Sequence, residues 1–221
     1  MYFDKETETL PREKLENLQL GKLQSMLAEI YGKNKFYTGK LNAAGCVPDD
    51  LDSLDKLDKL PFTEKSELIN AQEDGGFAGN LTYSWPAYTR FHQTSGTTGK
   101  PLHVFDTRES WDWWARCWGH VYAGANVTAE DRIFCAFSFG PFIGFWAAVD
   151  GARKIGALFI PGGGRTSLER LQLMLDTRST VLCCTPSYAL HLIELAQKNN
   201  FDLETLEIHT TIHAGEPGRK S

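Results

Sequence analysis

Thr94-Ser95-Gly96-Thr97-Thr98-Gly99-Lys100-Pro101 is the stretch best equipped for chemistry. Glycine lets a backbone turn sharply and approach a ligand closely. Consecutive peptide N–H groups in such a turn form a concave anion site. Hydroxyls add donors, and Lys100 adds a full positive charge. Together these suit a polyphosphate. The spacing excludes two familiar phosphate loops. Only Thr97 and Thr98 separate the glycines, and Pro101 follows the lysine, so this is not a kinase- or GTPase-type P-loop. Nor are there three glycines at dinucleotide-fingerprint offsets. Tyr88–Gln93 alternates ahead of the loop and 102–105 reads as a strand behind it, so the loop joins two strands.

The rest of the chain must position that loop. The spacing predicts a helix over 11–31, with Pro11 in its first turn, Leu15, Leu18, Met26, Leu27 and Ile30 near one stripe, and Gly32 as its stop. A second helical piece starts at Phe36-Tyr37 and ends near Gly45, and residues 48–60 form a short-helical connection. Thr63 reads as the cap of a further helix. Composition shifts near Asp74-Gly75-Gly76, which divides a helical segment, 1–73, from an α/β domain, 74–221. A helix over 110–124, capped by Ser110, sets Trp111, Trp114, Trp118, Val121 and Tyr122 on a core stripe. Strands at 131–139, 157–160, 180–184 and 208–212 then alternate with helices from 145 to 156, from Ser167, which caps, to Leu175, and from 188 to 198. That alternation predicts a mostly parallel sheet flanked by helices. Ligands collect at the carboxyl ends of such strands. The turns at 137–144, 185–188 and 214–217 therefore predict one cleft, faced by the phosphate loop.

Composition narrows the function classes. The 221 residues are 42% hydrophobic, enough for a real core, and carry 23 Lys and Arg against 28 Asp and Glu. The basic residues are scattered, which argues against nucleic acid and anionic membranes. No apolar run approaches the ~20 residues of a membrane span. The polar N-terminus has no signal-peptide pattern. Five cysteines without framework spacing suit reduced thiols in a cytoplasmic protein. His209 and His213 are four apart on a strand with no third ligand nearby, so no metal site is assigned. Cys183 and Cys184 should point to opposite sheet faces as core.

The phosphate loop resembles that of the adenylate-forming enzymes. Phe36-Tyr37, Leu60-Pro61-Phe62-Thr63 with Lys65, Phe139-Gly140-Pro141-Phe142, Thr185-Pro186-Ser187-Tyr188 and Gly215-Glu216-Pro217 extend the resemblance to the phenylacetate–CoA ligase family. It implies the N-terminal domain of that fold, with ATP, Mg²⁺ and coenzyme A as cofactors. An aryl acid would attack the α-phosphate to give an acyl-adenylate, which the thiol of coenzyme A then takes. Ser95, Thr97, Thr98 and Lys100 would grip the departing pyrophosphate, with Gly96 and Gly99 allowing its approach. Gly215, Glu216 and Pro217 would line the adenine. Phe137, Phe142, Ile143, Gly144 and Ala214 would form the aryl pocket.

Departures matter too. The family often has a tyrosine where this chain has Phe137, and a small residue where it has Phe145. The resemblance therefore implies an aromatic or other apolar acid, not specifically phenylacetate. The family's later ATP-contacting motif, ribose-binding aspartate, hinge and C-terminal domain with its catalytic lysine have no counterpart here, so no catalytic residue is assigned. An N-terminal fragment without acid-dependent ATP–pyrophosphate exchange is the expectation, and an exposed sheet edge would favour a homodimer. The rival readings are a non-catalytic nucleotide-binding or interaction module, and an adenylating enzyme with an acceptor other than coenzyme A.

Overall fold

The computed structural model describes residues 1–74, 79–96 and 99–216. They form two compact units, one from Asp4 to Arg108, the other Met1–Phe3 with the chain from Glu109 onward. The change of composition at 73/74 is thus not where packing divides the chain, and the loop-bearing hairpin belongs with the helical segment.

In the first unit, α1 (Lys5–Glu8), α2 (Arg12–Ile30), α3 (Lys35–Ala43) and α4 (Lys65–Asp74) precede an antiparallel hairpin of β1 (Tyr88–Gln93) and β2 (His103–Thr107). Leu23, Leu27 and Ile30 of α2 pack on Leu41, Cys46 and Leu51. Met26, expected on that stripe, is 54% exposed. It lies about 100° around the helix from Leu27. The expected Thr63 cap is replaced one residue later, where the Glu64 N–H donates to the Glu67 carboxylate at 2.7 Å. Buried Asn34 ties the unit together: its Oδ1 caps α3 on the Tyr37 N–H at 3.0 Å, while its Nδ2 donates to Asn80 and Thr82.

The second unit opens with α5 (Arg108–Gly124) and continues through β3 (Arg132–Cys135), α6 (Trp146–Ile155), β4 (Leu158–Pro161), α7 (Ser167–Asp176), β5 (Val181–Cys184), α8 (Pro186–Lys198) and β6 (Thr210–His213). The strands pair in parallel in the order β4-β3-β5-β6. Alternation sorts the core. Ile133, Cys135, Val181 and Cys183 face α5 and α6 through Tyr122, Ala148 and Ala152. Phe134, Ala136, Leu182 and Cys184 face α7 and α8 through Leu171, Met174, Leu192 and Ala196. Strands buried on both faces read as continuous apolar runs, as β3 and β5 do.

Several local expectations shift. α5 starts at Arg108, two residues before the expected Ser110 cap. Its buried stripe is Trp111, Ala115, Gly119, Tyr122 and Ala123, while Trp114 and Val121 are exposed. The strand expected over 131–139 pairs only over Arg132–Cys135, because the chain turns away toward Gly140. Thr166, not Ser167, caps α7, in a reciprocal box with Glu169. Among the described residues, no helix is long and apolar enough to cross a membrane.

Candidate functional site

The stretch from Thr94 to Pro101 connects β1 and β2, as its flanking strand patterns predicted. Thr94 closes the hairpin from both sides: its N–H donates to the Leu102 carbonyl, and its hydroxyl accepts from the Leu102 N–H, both at 3.0 Å. Gly96 has φ +68°, and a Cβ there would stand 3.0 Å from the Gly99 carbonyl oxygen, so a side chain would be strained and crowded. The Gly99 N–H donates to the Gly96 carbonyl at 3.0 Å. Lys100 is mostly exposed and ion-pairs with Glu73 at the end of α4. Thr97 and Thr98 lie outside the described residues, and Ser95 is exposed.

Gln72, which sequence reasoning missed, holds the far arm of this hairpin. Its amide donates to the Pro101 carbonyl at 3.3 Å, and its carbonyl oxygen accepts from the His103 N–H at 2.8 Å. Nothing in a lone glutamine signals this contact. Beneath the loop, His92 and Asp106 form a buried diagonal pair at 3.5 Å. Burial lowers the His92 pKa, against the pull of Asp106.

The second group lies at the carboxyl ends of the parallel strands. The chain passes from β3 to β4 on one side and then crosses back to β5 on the other side of β3, so the order reverses between β3 and β5. Such a reversal opens a crevice at the strand tips. Phe137 follows β3 and packs edge-on against Phe145, with centroids 5.2 Å apart. Phe145 is only 3% exposed and belongs to the core with Trp118, so it supports Phe137 from below. Gly144, at φ +28°, lies so close to Phe137 that a Cβ would stand 2.9 Å from the ring. Phe142 is exposed, Ile143 half-buried, and Trp146 donates its indole N–H to the Gly140 carbonyl at 2.8 Å, fixing the turn.

At the tip of β5, Thr185 caps α8 and Ser187 occupies its first turn. Ala214, Gly215 and Glu216 form the exposed turn after β6, with Gly215 at φ +91°. The Glu216 carboxylate accepts from both the N–H and the hydroxyl of Ser187. Pro217 lies outside the described residues. The structure therefore gathers Phe137 and Gly144, seats Glu216 on α8, and leaves the loop residues in the other unit. Sequence reasoning also missed Arg170, which bonds to the Gly162 and Ala136 carbonyls. Its signal was there: Arg170 lies four residues before Met174 on the apolar stripe of α7, where a charge is out of place.

No protein-family model matches the chain. Curated relatives do. The phenylacetate–coenzyme A ligase of Thermus thermophilus is 33% identical over 217 residues, 98% of this chain and 48% of its own length. Its namesake from Escherichia coli is 33% identical over 95% of this chain and 47% of its own. Among solved structures, a 2-hydroxyisobutyryl-CoA ligase in complex with 2-HIB-AMP and CoA matches with a TM-score of 0.89 and 27% identity over 95% of this chain and 45% of that one. An open conformation of that ligase gives 0.88 at 25% identity, over 95% and 46%. The chain thus spans about half the length of the curated relatives it matches. Over that span its sequence is similar to the N-terminal portion of phenylacetate–CoA ligases, and its fold is that of an adenylate-forming N-terminal domain.

Proposed function

We propose that this chain supplies the phosphate loop, acid pocket and adenine turn of an AMP-forming acid–CoA ligase, and that the acid is aryl. The observation carrying the reading is the strand-order reversal between β3 and β5, with an aromatic wall at one tip and a capped helix at the other. The family of the sequence relatives supports the same reading. Ser95, Gly96, Thr97, Thr98, Gly99 and Lys100 hold the outer phosphates of ATP. To reach them, Lys100 leaves Glu73. Phe137, Phe142, Ile143, Gly144 and Ala214 enclose the ring of the acid. With its carboxylate turned to Ser187, Glu216 presents backbone, together with Gly215 and Pro217, to the adenine. Coenzyme A is the acceptor, and the protein works in the cytoplasm.

Among the described residues, no group of three or more His, Cys, Asp or Glu gathers to hold a metal ion. Mg²⁺ fits this chain as a partner of the ATP phosphates, not as the occupant of a preformed cage, and there it would neutralise charge on the leaving pyrophosphate.

Calorimetric titration with unhydrolysable acyl-sulfamoyl adenosines tests the acid. The phenylacetyl compound should bind about tenfold or more tightly than the 2-hydroxyisobutyryl one, because an aromatic wall rewards a ring. Tighter binding of the short hydroxy acid would refute the aryl assignment. Lys100→Ala should weaken ATP binding about tenfold without affecting either mimic, which lacks a pyrophosphate.

A further inference from the structure

We propose that Arg170 is a positioning residue for the strand-tip site. It would hold three separate turns in register and place an uncompensated positive charge behind them. This rests on reading those tips as the acid-adenylate site.

Arg170 belongs to a surface helix, yet it is only 8% exposed. Its Nε donates to the Gly162 carbonyl at 2.7 Å, in the turn after β4. Its Nη1 donates to the Ala136 carbonyl at 3.4 Å, at the end of β3 and one residue before Phe137. Its guanidinium lies 5.1 Å from the ring centroid of Tyr188, in the first turn of α8 after β5. The Tyr188 hydroxyl is in turn 2.8 Å from that of Ser167, at the start of α7. One side chain thus touches the segments that leave β3, β4 and β5.

A buried guanidinium ordinarily sits against a carboxylate, since desolvating an unpaired charge is costly. Among the described residues none pairs with Arg170; two backbone carbonyls and an aromatic face serve instead. Carbonyls leave the net charge intact. It lies at the sheet end where an acid carboxylate and a phosphodiester would sit, and partial burial strengthens its field there. Lysine would not substitute, because only a planar fork reaches two divergent carbonyls while stacking on a ring.

Amide hydrogen exchange on the unliganded chain tests the positioning. Arg170→Met keeps an apolar stem and should speed exchange about tenfold in 136–144, 162–164 and 185–188, leaving 128–132 and 177–181, at the opposite sheet end, within about twofold. Arg170→Lys guards against a variant that fails to fold and should recover less than half of the lost protection. Unchanged exchange at the three turns, or an equal rise at both sheet ends, would overturn the proposal. Arg170→Met should also weaken the phenylacetyl-sulfamoyl adenosine about tenfold. Loosened turns with unaltered affinity would likewise overturn it. If the unsubstituted chain binds no mimic, the ligase reading fails, and the exchange pattern alone judges Arg170.

Discussion

The Glu216 carboxylate is seated on Ser187, accepting the backbone N–H at 3.0 Å and the hydroxyl at 2.6 Å. The turn after β6 is thereby tied to the first turn of α8, where orphan N–H groups and the helix dipole favour an anion. The Ser187 hydroxyl, then its N–H, hold the Glu216 pKa below the ordinary glutamate value. A depressed carboxyl stabilises the fold above its unfolded pKa and loses that contribution as pH falls through the folded one. The turn should therefore release on acidification below the ordinary glutamate range. Ser187→Ala should move the Glu216 titration upward, read by carboxyl-carbon NMR. An unmoved titration would show that the hydroxyl bond contributes nothing.

At the amino end of the sheet, Asp131 accepts from the Thr128 N–H and the Thr180 hydroxyl, both at 2.7 Å, with His209 Nε2 3.3 Å away. Burial pushes its pKa up, but these donors outweigh it and the net shift is downward. Asp131→Ala leaves the Thr128 and Thr180 donors unmet and should cost about 2 kcal/mol in urea unfolding at neutral pH. The deficit should shrink as pH drops through the carboxylate range, where the unsubstituted protein loses the same bonds. A pH-independent deficit would contradict the charge-based account.

The thiols give a third test. Cys46, Cys135, Cys183 and Cys184 are buried, and Cys117 is half-buried. Burial pushes Cys135 up to about 12 and Cys184 up to about 11, and raises Cys183 as well. Since the thiolate is the reactive form, only Cys117 should react promptly with a disulfide reagent at pH 8, and all five should react in denaturant. Rapid modification of Cys183 or Cys184 in the folded chain would mean that β5 is less well covered than its packing indicates.

Gly144 and Phe137 form the wall of the proposed acid pocket. Gly144→Ala brings a methyl within 2.9 Å of the Phe137 ring at a positive φ, so ring and turn must both yield. Affinity for the phenylacetyl mimic should fall about tenfold, while stability drops by only about 1–2 kcal/mol, the strain of a left-handed alanine. A large loss of stability with unchanged affinity would place the ring's role in the core.

Local order was largely legible before folding. The runs around Ile133 and Val181 are apolar throughout, as doubly covered strands must be, and helices of suitable length separate the strands. The run at 157–160 reads as a buried strand too, yet β4 is an edge strand with Leu158 57% exposed, because no further strand pairs beyond it among the described residues. The glycines at 96 and 99 between two strand patterns signalled a hairpin link through conformational freedom, a property of residue type, and β1 and β2 do pair across it. Chain sequence also placed Cys183 and Cys184 on opposite faces, since a strand alternates by construction. Tertiary packing decided what periodicity left degenerate. On α5, Trp114 and Trp111 both fit a helical stripe, and only the approach of α6, where Asp150 accepts the Trp111 indole N–H at 2.7 Å, selected Trp111. Gln72 meets Pro101, Arg170 meets Ala136 and Ser187 meets Glu216 only once distant segments are side by side. Residue type and spacing settle what a segment can do by itself; a hydrogen bond across some thirty residues depends on the path of the chain between them, and that path exists only in the folded protein.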